Sequence, residues 1–169
     1  MAYNTYKNDR NRGYGSSRGN SGKSQNDTRT TEEKPQPITL TAETYVDTAE
    51  EIILKRIARD KPDNEGKRKI CLTTSKIRNI LSMVTSIYDD VIHTTGDKLN
   101  REAVEMIQYL RLRIAYEAGR DKIVRDFVEQ SDLIGQVKKI GNDKGAYLLF
   151  CKYVEALVAY HRFHGGDDK

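Results

Sequence analysis

Tryptophan is absent from this chain of 169 residues, and cysteine and proline are scarce, at two and three. Two cysteines cannot build a disulfide framework or a four-cysteine zinc site. No stretch approaches the ~18 consecutive apolar residues of a membrane span. No apolar core of a secretory leader opens the chain, so none is expected. Charged residues make up 32% and the hydrophobic set 37%. The expected protein is soluble, cytoplasmic and without a membrane partner.

The net charge of +4 is unevenly placed. Residues 1–31 hold six basic side chains (Lys7, Arg10, Arg12, Arg18, Lys23, Arg29) against two acidic ones (Asp9, Asp27), which accounts for all of it. The rest of the chain is neutral, so any basic surface there is a local patch balanced by acid elsewhere. Residues 1–37 are rich in Gly, Ser, Asn and Arg and have no apolar periodicity. Such a segment cannot bury enough surface to offset an ordering cost of about 1–2 kcal/mol per residue. It reads as a disordered N-terminal tail ahead of a domain at 38–169. Tyr3, Tyr6 and Tyr14 lie among its Arg and Gly residues, as in RNA-binding tails, although a solubilising linker has the same composition. Gly22-Lys23-Ser24 is no phosphate loop, because Ser17 stands where the motif needs its first glycine.

Beyond Pro37 only Pro62 could interrupt a helix. A first helix is expected from about Ala42 to Arg59, then a polar loop over 60–70. A second starts at Thr73 or Thr74 and runs to His93–Gly96, its apolar residues Ile77, Ile80, Leu81, Val84, Ile87, Tyr88 and Val91 forming one 3.6-residue stripe. A third covers about Asn100–Ala118, with Gly119 as its stop. Shorter helices follow over about 121–131 and 132–140. The last, about 144–163, is apolar around most of its circumference, which suits the centre of a bundle or a surface shared with a partner. No strand pattern occurs. The fold class is all-α, a compact five- to six-helix bundle.

Chemistry-bearing groups are few. Cys71 and Cys151 sit among apolar residues and read as buried small side chains. Asp89 and His93 are spaced i, i+4 near a helix end, where a histidine also suits the dipole. His161 and His164 have no third ligand at firm spacing. No catalytic residue, metal site or cofactor is expected.

The basic residues are more informative. Lys67, Arg68, Lys69, Lys76 and Arg78 lie in a stretch without acid that leads into the second helix. Thr73, Thr74 and Ser75 place hydroxyls beside the free N–H groups of that helix start, a ready anion site. Threonine and serine are also ordinary caps. Cations in a first turn, however, oppose the helix dipole, and a bound anion would offset that. On the third helix Tyr109, Arg113, Tyr116 and Arg120 fall at i, i+4, i+7 and i+11. This stripe suits stacking and backbone contact with RNA. It equally suits tyrosines at the core edge with arginines lying over them.

Five segments carry a family resemblance: TAETYVDTAEEI (41–52), LTTSKIRNIL (72–81), YLRLRIAYEAGR (109–120), VRDFVEQS (124–131) and FCKYVEALVAYHRFHGG (150–166). Together they resemble the small subunit of the type III-A CRISPR effector, the Csm complex. The resemblance implies a helical subunit without enzymatic activity. Several copies would stack as an inner filament beside the crRNA-binding backbone subunits, in a complex that also holds a large polymerase-like subunit. It would contact the backbone of the crRNA–target RNA duplex without reading bases. Thr74, Ser75, Lys76 and Arg78 match the family's basic helix entrance. Arg113 and Arg120 match basic positions, Arg120 being open to a second reading as a helix cap. The competing reading is a helical protein-interaction adaptor with a basic RNA-binding tail.

Overall fold

The computed structural model describes residues 37–60, 62, 64, 66 and 69–168. The tail expected at 1–37 lies outside them except for Pro37. The described residues are all-α: α1 (Tyr45–Glu51) continuing into a π-helical turn (Ile52–Arg56), α2 (Thr74–Thr85), α3 (Tyr88–Ile92), α4 (Arg101–Arg120), α5 (Lys122–Gln130), α6 (Leu133–Ile140) and α7 (Lys144–Phe163). Counting α1 with its π turn and α2 with α3 gives six helical units. Strand-like pairing among the described residues is confined to two isolated bridges, Arg59 with Ile70 and Lys98 with Asp143.

α7 occupies the centre. It packs against α1, α2, α3 and α6, and it buries Tyr147, Phe150, Cys151, Tyr153, Val154, Leu157 and His161. This accounts for its nearly continuous apolar surface, since a helix surrounded by neighbours needs no polar face. Each large apolar side chain so buried contributes about 1.5–3 kcal/mol. Two of its tyrosines are buried with satisfied hydroxyls: Tyr147 donates to the Val84 carbonyl at 2.7 Å, and Tyr153 to the Ser131 carbonyl at 2.9 Å.

Several boundaries differ from the sequence expectation. The first helix begins at Tyr45 rather than Ala42, because Thr41 and Thr44 bond to one another, hydroxyl to hydroxyl at 2.9 Å, and fold residues 41–44 into a turn. It ends in a wide turn in which the Ile57 N–H reaches the Ile52 carbonyl at 3.1 Å, and the chain then becomes extended at Ile57. The second helix breaks at Ser86–Ile87. There the Thr85 and Ser86 hydroxyls donate back to the Leu81 and Met83 carbonyls, a competition that weakens helix ladders. Gly119 does not stop α4, which continues through Arg120. The stop is Asp121, whose backbone is extended and whose carboxylate accepts from the Ile123 and Val124 N–H groups as the N-cap of α5.

The start of the described chain is tied down. Ile38 is buried, and its carbonyl accepts from Gln136 at 2.8 Å and Lys139 at 2.6 Å. Lys139 thus has a structural task.

Candidate nucleic-acid interface

α2 and α4 pack so that the start of one meets the end of the other. Lys76 and Asn79 of α2 line a groove with Glu117 and Arg120 of α4 and with Asp121 and Val124. Further along the same pair of helices, Met83, Ser86 and Ile87 line a second hollow with Met106, Tyr109, Leu110 and Arg113. The structure thus places three of the expected cations, Lys76, Arg113 and Arg120, along one seam. Seven residues of helix put about 10 Å between Arg113 and Arg120.

The α4 stripe is exposed. Tyr109 and Tyr116 are 61% and 62% accessible, and Leu112 beside them is 63%. Both rings are thus largely in solvent, although Tyr109 also borders the hollow with Met83, Ile87 and Leu110. The Arg120 guanidinium lies over the Tyr116 ring at 5.4 Å and pairs with Glu117 at 3.4 Å. It does not cap the helix. That task falls to Arg125, which donates to the Ala118 carbonyl at 3.2 Å. Tyr116 and Arg120 therefore form an exposed ring–guanidinium pair with Glu117 beside it, and ring and guanidinium faces are what bases stack on.

The start of α2 is arranged differently from the expectation. Thr73 caps it, accepting from the Lys76 N–H at 3.4 Å. Thr74 is buried, and its N–H donates to the Asp167 carbonyl at 3.0 Å. The exposed Ser75 donates its hydroxyl to the Asp168 carboxylate at 3.3 Å. Lys76 pairs with Asp121 at 2.7 Å, a contact that holds the Asp121 carboxyl below its ordinary range. The acid that offsets the unfavourable first-turn cations is thus supplied by the fold itself. Thr74 and Ser75 are engaged internally and do not stand open to an outside anion. Lys69 is exposed, and its carbonyl accepts from the Asp60 N–H across the base of the loop. Arg78 is exposed on the solvent face of α2. Lys67 and Arg68 lie outside the described residues.

The other chemical candidates have separate tasks. His93 bonds the Asp89 backbone carbonyl at 2.7 Å, not its carboxylate. His161 is buried with Nε2 on the Leu72 carbonyl at 2.7 Å, whereas His164 turns to Glu50 at 3.1 Å, so the pair does not converge. Among the described residues no cluster of three His, Cys, Asp or Glu could hold a metal ion. Cys151 is buried and its thiol is pushed up to about 11 by that burial. Cys71 is only half-buried, contrary to expectation, and donates to Asp60 at 3.3 Å. Its pKa is raised as well, first by desolvation.

Sequence reasoning missed Asp121 and the Asp167–Asp168 segment. Asp121 carried a signal, an acid directly before the apolar Ile123-Val124 pair, as N-caps often stand. The C-terminal acids carried none, being about ninety residues from the helix they meet.

These features define a small helical protein whose exposed seam joins cations to aromatic rings, with no helix long and apolar enough to cross a membrane among the described residues. A model of the family described as Csm2 Type III-A matches residues 53–167. The chain is 40% identical over 129 residues to the CRISPR system Cms protein Csm2 of Streptococcus thermophilus, covering 76% of this chain and 98% of that protein. The Enterococcus italicus protein of the same description is 38% identical over 112 residues, 63% of this chain and 80% of that one. The Mycobacterium tuberculosis CDC 1551 protein is 36% identical over 98 residues, 58% and 79%. The chain belongs to the type III-A Csm2 family, the small subunits of the Csm complex.

Proposed function

We propose that the chain is a non-catalytic, cytoplasmic subunit that binds the backbone of the crRNA–target RNA duplex through the α2–α4 seam. It does so without reading sequence, and several copies stack beside the backbone and large subunits. The observation that carries the RNA reading is the alignment of Lys76, Arg113 and Arg120 along one seam with the exposed Tyr109 and Tyr116. Arg78 and the loop cations Lys67, Arg68 and Lys69 extend the same basic character upstream. Guanidinium groups suit phosphate oxygens through paired N–H donors, and ring faces tolerate any base.

The test is salt-dependent binding of the full chain to RNA of mixed sequence. Each lost phosphate contact flattens the slope of log K against log salt by about 0.7 on single strands. Arg113→Ala and Arg120→Ala should each do so, equally on unrelated sequences. Unchanged slopes would remove the seam as the contact. The adaptor reading would instead be favoured by full-strength assembly with protein partners after removal of all RNA.

A further inference from the structure

We propose that the Asp167–Asp168 segment is a built-in occupant of the anion-binding start of α2, and that RNA backbone reaches this start only by displacing it. This rests on the RNA reading above and adds a regulatory element to the same surface.

α2 is twelve residues long and has no acid in its own first turn. Its free N–H groups and dipole favour an anion at that end. The occupant comes from the far end of the chain: the Asp167 carbonyl takes the Thr74 N–H, and the Asp168 carboxylate takes the Ser75 hydroxyl. These are the donors that the sequence marks for phosphate. A carboxylate offers the same oxygen acceptors as a phosphate, with less charge.

The fit is incomplete. Thr74 is only 2% accessible, yet its hydroxyl has no hydrogen-bond partner. Buried hydroxyls are normally satisfied, and this one, on the residue whose N–H the segment takes, is not. The segment is also lightly held. Asp167 and Asp168 are exposed, and the Ser75 contact is long for a hydroxyl donor. Asp167 spends its own carboxylate on the Asp168 N–H at 2.7 Å.

The pivot lies just before the two acids. Gly165 has φ +93°, and Gly166 sits so tightly against the buried His161 ring that a Cβ there would lie 2.1 Å from Cε1. Gly166 is also bonded on both sides, its N–H to the His161 carbonyl at 2.8 Å and its carbonyl to Arg162 at 3.0 Å. The segment is therefore anchored through Gly166 and movable beyond it. An isolated small anion gains little by displacing it. An extended RNA backbone, held at the same time by Lys76, Arg113 and Arg120, gains the α2 start as one more contact. The device favours long polyanions over single phosphates.

The experiment measures binding of fluorescently labelled single-stranded RNA of mixed sequence to the full chain. Three backgrounds are compared, wild type, Asp167→Ala/Asp168→Ala and the charge-matched Asp89→Ala/Asp90→Ala, each with and without Ser75→Ala. Removing the clasp charges should tighten binding by about fivefold, well beyond the charge-matched pair, as expected of coupled neighbouring groups. Ser75→Ala should weaken binding only in the Asp167→Ala/Asp168→Ala background, where the hydroxyl is free for RNA. Equal gains from both acidic pairs, or equal losses from Ser75→Ala in all backgrounds, would overturn the clasp and leave the RNA reading standing. Absence of RNA binding by every protein would overturn both. Thermal melting of each variant checks that folding is unaffected.

Discussion

The Lys76 ammonium lies 2.7 Å from the Asp121 carboxylate, so the first turn of α2 is tied to the residue that ends α4 and begins α5. Asp121 also accepts from the Ile123 and Val124 N–H groups. Asp121→Ala should therefore cost about 1 kcal/mol, up to about 2, as cap losses do. Lys76→Ala, removing one half-exposed pair, should cost under about 1 kcal/mol. Because the Lys76 contact holds the Asp121 carboxyl below its ordinary 3.8, its contribution is complete above that pH. It fades as pH falls through the lower folded value. Urea denaturation of the single and double variants between pH 7 and pH 3 measures both effects.

His161 should make the fold sensitive to mild acid. Burial disfavours its charged form and lowers its pKa below the ordinary 6.5. Its Nε2 meets the Leu72 carbonyl while Nδ1 is buried without a partner. Arg162 adds to the lowering, and Asp168 opposes it. The unfolded chain then takes up a proton before the folded one does. Stability is full above about pH 6.5 and falls below it, by at most about 1.4 kcal/mol per pH unit for one proton. The melting temperature should drop from pH 7 to pH 5.5 in the wild type, and His161→Gln should flatten that drop.

Tyr153→Phe and Tyr147→Phe should each destabilise by about 1 kcal/mol, the net value of a buried hydrogen bond, with more lost if the carbonyl is left unsatisfied. Each change preserves the ring and therefore the packing. Leu157→Ala, on the same helix and fully buried, should cost about 2–5 kcal/mol. Chemical denaturation midpoints separate the two classes.

Gly166→Ala has no room for its new methyl against the His161 ring. The expected penalty is about 1–3 kcal/mol, the range for overpacking. The Thr74 amide should also exchange faster with solvent deuterium, because its acceptor at Asp167 is shifted. Gly119→Ala meets nothing within 4 Å, and it should stabilise α4 by up to about 1 kcal/mol.

The long helices were legible because their signals are local. The α4 stripe Ala103, Ile107, Leu110 and Ile114 repeats at helical spacing and is buried as that spacing requires. The same logic placed Arg113 and Arg120 on one face. The break at Ser86 was not legible, since a continuous apolar stripe runs through it and outweighs the weak local signal of the Thr85 and Ser86 hydroxyls that turn back on the Leu81 and Met83 carbonyls. Gly119 misled for the opposite reason. Its local preference for a helix end was overridden when Asp121 and Arg125 supplied the termination two and six residues on. Thr74 and Ser75 have the composition of an open anion site, and only the docked C-terminal segment shows that the Thr74 N–H and the Ser75 hydroxyl are engaged.

The two buried tyrosines of α7 have a geometric consequence. They are six residues apart, about 9 Å along the axis and 240° around it, and their hydroxyls reach the far ends of two different neighbours, at Val84 and Ser131. A one-residue slip of α7 moves both hydroxyls by about 1.5 Å and 100°, breaking both contacts together. The central helix is thus keyed at two angles, like a shaft with two pins. It has a single seating.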